Sequence, residues 1–417
     1  MNTIRFKHAN IICKIKTAIL LLMLIAIAGC TNSSVTIIND RTYPLINKNI
    51  VIKNSLLKLE GTEFIKITSE TGEAIPFQCD DLNNDGKWDE IALQLDLAAE
   101  EQFILKIEKV DSSEKPIFKK LTHARLGYSP ERNDSFSAVE RHTRPKNHKA
   151  QSTPYLYQFE GPGWENNNVG FRLYFDSRNG KDIFGKTTNE LVIDKVGLEG
   201  NYHKLQAWGM DVLKVGSSLG AGSLAILKND SLVRLSDTEE AIYELVTTGP
   251  VRSIIKLTYT GWHTGGQPQD IIETITIWAN LNSYESNVSL IPHNTPDTLV
   301  TGIVDLKQAP KFSVEHETYQ AIYTYGKQSE NNDQLGMGII IDQQNFLAFS
   351  EAKKDGEGIT NTYTAYLKPY QHTYRYRFFA GWELQNKTFS DRQAFEDALK
   401  EEAISFTTPI QIKIDKL

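Results

Sequence analysis

The chain has 417 residues, a formal charge of −7, 40% hydrophobic and 10% aromatic residues, and only three cysteines. These figures argue against a disulfide-stapled miniprotein, a multi-span membrane protein and a disordered tail. With 45 basic against 52 acidic residues, no nucleic-acid partner is expected either, because counterion release on a polyanion needs a concentrated positive surface.

Arg5, Lys7, Lys14 and Lys16 precede an apolar run of eleven residues, 18–28. At about 1.5 Å per residue, a helix of that length falls well short of the roughly 30 Å hydrocarbon core of a bilayer. It reads as the apolar region of a signal peptide. The run ends in Ile27-Ala28-Gly29-Cys30, small residues before a cysteine, which is the bacterial lipoprotein arrangement. The expectation is a signal peptide at 1–29 and a lipidated tether at 30–33, with the protein held to the membrane through lipid on Cys30. Loss of the four basic residues takes the formal charge from −7 to −11. Thr31-Asn32-Ser33-Ser34 carries neither an aspartate at its second position nor an acidic cluster. That suggests an outer-membrane lipoprotein facing the periplasm. Cys13 leaves with the signal and Cys79 has no partner, so no disulfide is expected.

From residue 34 the pattern alternates with period two, as in Phe64-Ile65-Lys66-Ile67-Thr68 and Ile91-Ala92-Leu93-Gln94-Leu95. Alternation of this kind marks half-buried strands, and residues 34–110 read as a small N-terminal β unit. Within it, oxygen-bearing side chains recur at Asp81, Asn83, Asp85 and Asp89, with Gly86 for a tight turn. This is the first half of a calcium loop, but Ala92 stands where an EF-hand requires a bidentate glutamate. The stretch is either a structural calcium site or an Asx-rich turn capped by Trp88. The charge-dense segment 111–120 is a linker or an exposed hairpin.

Residues 121–417 carry too many strands for a small barrel and read as one large sandwich, with long loops available to build a site. In Arg172-Leu173-Tyr174-Phe175-Asp176, alternation places Arg172, Tyr174 and Asp176 on one face and Phe171, Leu173 and Phe175 on the other. Such a polar face lines either solvent or a polar cleft, because burying it against apolar partners is costly. A glycine-punctuated stretch follows at 201–222, holding Tyr202, His203, Trp208, Asp211 and Lys214 without a clean period, as a site-forming loop would. Its glycines lack the Gly-Lys-Ser/Thr ending of a phosphate loop. Further strands include Ser253-Ile254-Ile255-Lys256-Leu257-Thr258-Tyr259, and turn pairs such as Asn179-Gly180 and Gly265-Gly266 separate them. Tyr155, Tyr157, Trp164, Trp208, Trp262, Trp278, Tyr374, Tyr376 and Trp382 exceed what a core needs and suit sugar rings. Only 390–403 holds helical spacing, with Ser390 as cap and Phe395 and Leu399 four apart. The fold class is all-β: a large antiparallel two-sheet β-sandwich with a small N-terminal β unit and one short C-terminal helix.

Several blocks together resemble a known family: Asp85-Gly86-Lys87-Trp88-Asp89-Glu90, Arg172-Leu173-Tyr174-Phe175-Asp176, Asp182-Ile183-Phe184-Gly185-Lys186, Tyr202-His203, 208–216 and Gly249-Pro250-Val251-Arg252-Ser253. With the lipoprotein signal, they resemble a family of unknown function found in polysaccharide-utilisation gene clusters. That family includes a dehydratase acting on oligosaccharides of ulvan, a sulfated algal polymer. The resemblance implies removal of water, as the C4 hydroxyl and the C5 proton, from a saturated uronic acid at the non-reducing end, leaving a 4,5-unsaturated sugar. Abstracting a proton beside a carboxylate requires positive charge or strong donors there, and Arg172 and Lys186 are the candidates. His203 and one of Tyr174 or Tyr202 would serve as base and acid, in an order left open. Asp211 would orient His203 or bind a hydroxyl, Trp208 and Trp164 would meet sugar rings, and Glu165 and Lys214 would bind substrate. No cofactor is required, the partner is an acidic oligosaccharide, and the protein is expected to be a monomer. Two other readings compete: a polysaccharide lyase or sugar epimerase on the same scaffold, and a non-catalytic glycan-binding lipoprotein.

Overall fold

The computed structural model describes residues 33–131, 135–146, 148, 156–264, 267–291 and 298–416. The signal segment, Cys30, Tyr155 and Gly265-Gly266 lie outside the described residues. Among those described, no helix is long and apolar enough to cross a membrane.

Alternation in the sequence becomes alternation in burial. In the strand Phe64–Ser69 every second residue is buried. The same holds at the end of the strand Leu45–Lys53, where Ile50 and Ile52 are inside. A four-stranded sheet, with Ser33–Ile38 and Gln102–Val110 at its centre, and a three-stranded sheet around Glu90–Leu97 share one core. Val35, Ile37, Ile50, Ile67, Leu93 and Ile107 fill it. Each such aliphatic chain contributes about 1.5–3 kcal/mol on full burial. This N-terminal unit is completed from the far end of the sequence. The last strand, Gln411–Lys416, pairs antiparallel with Ser33–Ile38, so the unit is not confined to 34–110. Segment 111–120 holds only the short 3₁₀ turn Ser112–Glu114 and is a linker, not a hairpin.

The remaining strands form a nine-stranded, a six-stranded and a five-stranded sheet, and the strand pairings are antiparallel throughout. The all-β fold therefore stands, with the layer opposite the nine-stranded sheet split in two. Phe171 and Ile183 from the six-stranded sheet, Ile226 and Leu299 from the five-stranded sheet, and Ile275, Tyr284 and Phe378 from the nine-stranded sheet meet in a single core. The C-terminal helix runs Arg392–Thr407. It is capped by Asp391, whose side chain accepts from the Ala394 amide at 2.9 Å, and not by Ser390. Phe395, Leu399, Ala403 and Phe406 pack with Tyr323 and Phe379 on the outer face of the large sheet. A second, four-residue helix, Asn54–Leu57, has no counterpart in the sequence reading.

Candidate active site

The six-stranded sheet determines which polar side chains can meet. Strand Val169–Leu173 lies between Gly163–Asn166 and Lys181–Lys186, and Gly209–Asp211 closes the edge. Arg172 stands directly opposite Asp182, and Phe184 opposite Asp211. On the side of Arg172 away from Asp182 the partner is Gly163, where the Phe159 ring lies against the sheet, 3.0 Å from the place a Cβ would take. Phe171, Leu173 and Phe175 point into the core as alternation requires. Arg172, Tyr174 and Asp176 take the other face, and there they are buried, not solvated.

The segment 187–208 covers this face without a strand or helix. It is longer than the roughly 12–15 residues above which irregular loops are usually functional. Gln158 ties it down by donating to the carbonyls of Ile193, Asp194 and Val196 at 3.2, 3.3 and 2.7 Å. His123 and Arg125 both reach Asp194. Ile193 and Val196 of the segment meet Phe159 and Phe184 in an apolar patch.

At one end of the patch a polar network assembles. Arg172, 1% exposed, donates through Nη2 to Asp211 at 2.6 Å and to Asp182 at 2.7 Å. Its Nη1 donates to the Tyr202 hydroxyl at 3.1 Å. The Tyr174 hydroxyl donates to the same Asp182 oxygen at 2.6 Å. His203 Nδ1 lies 3.0 Å from Asp211 Oδ2, with the ring 60% exposed, and the Tyr202 and His203 rings are 4.3 Å apart. Phe159 and Glu160 border the network with φ of 40° and 73°, conformations that cost non-glycine residues about 1–3 kcal/mol each and gather at functional sites. Edge-on packing of Phe159 against Phe184 at 5.7 Å helps hold that backbone.

Two carboxylates competing for one guanidinium polarise the whole group. Burial and the neighbouring Asp211 charge push Asp182 up, against the pull of Arg172. Burial opposes the charge on Arg172, but Asp211 and Asp182 outweigh it and hold the guanidinium above the usual arginine value. Burial raises Tyr174, and Asp182 adds to the shift. Burial likewise raises Tyr202, opposed by Arg172, so both phenols stay protonated at neutral pH. The hydrogen bond to Asp211 raises His203 above its ordinary 6.5.

Five of the residues read from the sequence therefore converge: Arg172, Tyr174, Tyr202, His203 and Asp211. Others do not. Lys186 and Glu165 are sealed, their Nζ and Oε2 2.7 Å apart, with Lys186 also on the Asn166 carbonyl at 2.5 Å. The other Glu165 oxygen accepts the Val192 and Ile193 amides at 2.6 and 2.8 Å. They anchor the covering segment and cannot touch a substrate. Trp164 is packed in the core against Phe171 and Tyr284. Trp208, the last residue of the segment, is half-buried and lies edge-on to Phe184 at 6.0 Å. Lys214 is exposed beside Leu306, Lys307 and Glu330, in a separate depression.

In the loop at 81–90, Asp81 accepts the Asp85 and Gly86 amides, Asn83 accepts the Asp85 amide, and Asp89 accepts the Leu82 amide. It has the bonding of an Asx-rich turn beside buried Trp88. Among the described residues, no three His, Cys, Asp or Glu side chains gather as a metal ion would need.

Asp182, Arg178 and Glu160 were not singled out in the sequence reading. Asp182 shares the alternation of Phe184 and Lys186, and only cross-strand pairing reveals it as the partner of Arg172. Arg178, 40% exposed, holds Asp176 at 2.7 Å, reaches Glu160 at 3.3 Å and lies 4.2 Å over the Tyr174 ring. It is the cation at the rim.

A family model described as a domain of unknown function (DUF4861) matches residues 37–412. "Uncharacterized protein P7" of Formosa agariphila is 23% identical over 291 residues, 64% of this chain and 71% of that protein. Among solved structures, an alpha-mannosidase from Enterococcus faecalis V583 superimposes with a TM-score of 0.45 at 10% identity, covering 96% of this chain and 48% of that one. A glycosyl hydrolase family 38 protein from Enterococcus faecalis gives 0.39 at 10% identity, with 93% and 48% covered. The chain thus spans about half the length of these solved proteins. The resemblance to a family of unknown function is borne out at that level.

Proposed function

This chain belongs to the DUF4861 family, and from that premise we propose that it is an oligosaccharide dehydratase acting on a saturated uronic acid at the non-reducing end of ulvan-type oligosaccharides, as a lipoprotein of the outer membrane. The observation that carries the reading is the pairing of an exposed His203 on buried Asp211 with a neighbouring Tyr202 hydroxyl that accepts from Arg172.

The chemistry assigns roles within that pair. Because Nδ1 faces Asp211, Nε2 is the ring nitrogen left to take the C5 proton. The Tyr202 oxygen accepts from Arg172, which leaves its own O–H to protonate the departing C4 hydroxyl. The C5–H electrons form the C4=C5 bond, the C4–O bond breaks, and the oxygen leaves as water. Tyr174 is the weaker candidate for acid, since its proton is committed to Asp182. Arg172 is saturated by two carboxylates, so it tunes Tyr202 and Asp211 instead of binding substrate. Arg178 is also held by two carboxylates, Asp176 and Glu160, but unlike Arg172 it is 40% exposed, and it is the cation assigned to meet the uronate carboxylate and the charge that develops on it.

Incubation of the protein with saturated uronate-ended oligosaccharides, followed by mass spectrometry, tests this reading. Loss of one water with a rise in enoate absorbance is the expected result, abolished in His203→Ala. Chain cleavage would replace the reading with a lyase. Silence from folded protein that still binds the sugar would make it a binding protein.

A further inference from the structure

A polar cleft of about 240 Å³ opens where the N-terminal unit, the nine-stranded sheet and the C-terminal helix meet. Its floor is one face of the large sheet. Register places Arg252 beside Trp278, Thr276 beside Glu285, and Glu285 and Asn287 opposite Arg377 and Arg375. Lys48 enters from the N-terminal unit, and Ser405 and Phe406 from the helix.

Four cationic side chains line this cleft against one wall carboxylate. Arg252 is satisfied beneath it by Asp80, at 2.8 Å, and by Glu90. The other three are not so matched. Glu285 is divided between Arg375 at 2.8 Å and Arg377 at 3.5 Å. Glu402, behind Arg377, is engaged by the Asn282 amide and the Ser283 hydroxyl. Lys48 donates to the carbonyls of Ser405 and Thr408 at 2.5 and 2.6 Å, which are dipoles and not charges. Arg377 is 3% exposed. Even with the Asn49 amide oxygen turned toward its Nη2 at 2.7 Å, its buried Nε–H has no acceptor. A buried donor left unmatched costs about 1–3 kcal/mol, more when the group is charged. Burial and repulsion from Arg377 and Arg375 together push Lys48 down to about 7. Both features mark a place short of negative charge.

We propose that this cleft binds a tetrahedral oxyanion, sulfate or phosphate, free or as the ester of a small sugar, held by Arg375, Arg377 and Lys48. The volume is many times the roughly 10–15 Å³ that a single water requires, so the cleft has room for more than the bare ion. The site is separate from the His203 network and does not depend on the activity assigned there.

Calorimetric titration of the mature protein with sodium sulfate, sodium phosphate and a sulfated monosaccharide, against sodium chloride at equal ionic strength, tests the site. Saturable one-to-one binding of at least one probe is expected, with no binding of chloride. The tighter of ion and ester identifies the form the cleft takes. Arg375→Gln, at a side chain 36% exposed, should weaken binding at least about tenfold, the loss of one charged hydrogen bond. Asn287→Asp, which adds a carboxylate to the wall, should weaken it independently. Turnover at the His203 site should be unchanged in both. Absence of saturable binding by every probe, or equal affinity in both folded variants, would overturn the proposal.

Discussion

Replacing Lys186 by methionine separates a structural lysine from a catalytic one. The ammonium is fully buried 2.7 Å from an equally buried Glu165 carboxylate, and burial lowers the lysine pKa despite that partner. Lys186→Met keeps the volume and strands the carboxylate, and breaking such a pair costs about 3–5 kcal/mol. With m near 3 kcal/mol/M, that is a drop of about 1–1.7 M in urea midpoint. Adding Glu165→Gln removes the stranded charge while the new amide oxygen still accepts from Val192 and Ile193, the bonds that hold the covering segment. The double variant should therefore recover to within about 1–2 kcal/mol of the parent, since replacing both members of a buried pair is often close to neutral. Urea unfolding followed by tryptophan fluorescence gives the stabilities, and the proposed dehydration of a uronate-ended oligosaccharide is the activity assayed. A single variant that loses less than about 1 kcal/mol would refute the buried-pair reasoning. A stable double variant without turnover would return Lys186 to the chemistry.

His203→Gln should leave stability within about 0.5 kcal/mol, because the ring is mostly exposed, yet abolish turnover; retained turnover removes His203 from the mechanism. In the parent, the folded-state pKa of His203 lies above 6.5 because of Asp211. The pair therefore stabilises the fold below about pH 6.5 and fades as pH rises through the folded value. Asp211→Asn should lower that pKa, carry the acidic limb of the rate profile to lower pH and remove this stability term. An NMR titration of His203 that does not move would contradict the assignment. Gly209 has φ of +130°, and a Cβ there would meet the Gly185 carbonyl oxygen at 1.8 Å. Gly209→Ala should cost more than about 2 kcal/mol, with turnover falling as Asp211 shifts; thermal unfolding equal to the parent would refute this.

Much of the candidate site's geometry was legible in the amino-acid order because strand geometry is local. A period of two decides that Arg172 and Tyr174 share a face and that Phe171, Leu173 and Phe175 oppose them, whatever the rest of the chain does. The same alternation was enough for the all-β class. It was not enough to tell His203 from Lys186, two basic residues in adjacent motifs. Their difference lies in what covers the sheet face. The segment 187–208 seals Lys186 against Glu165, and it ends by lifting His203 to the surface on Asp211. The pairings of Arg172 with Asp211, and of the last described strand with the first, join residues far apart in sequence, and that of Arg172 with Asp182, ten residues on, hangs on the register of two strands. No local period encodes them, because register and loop closure follow from burying the whole sheet at once.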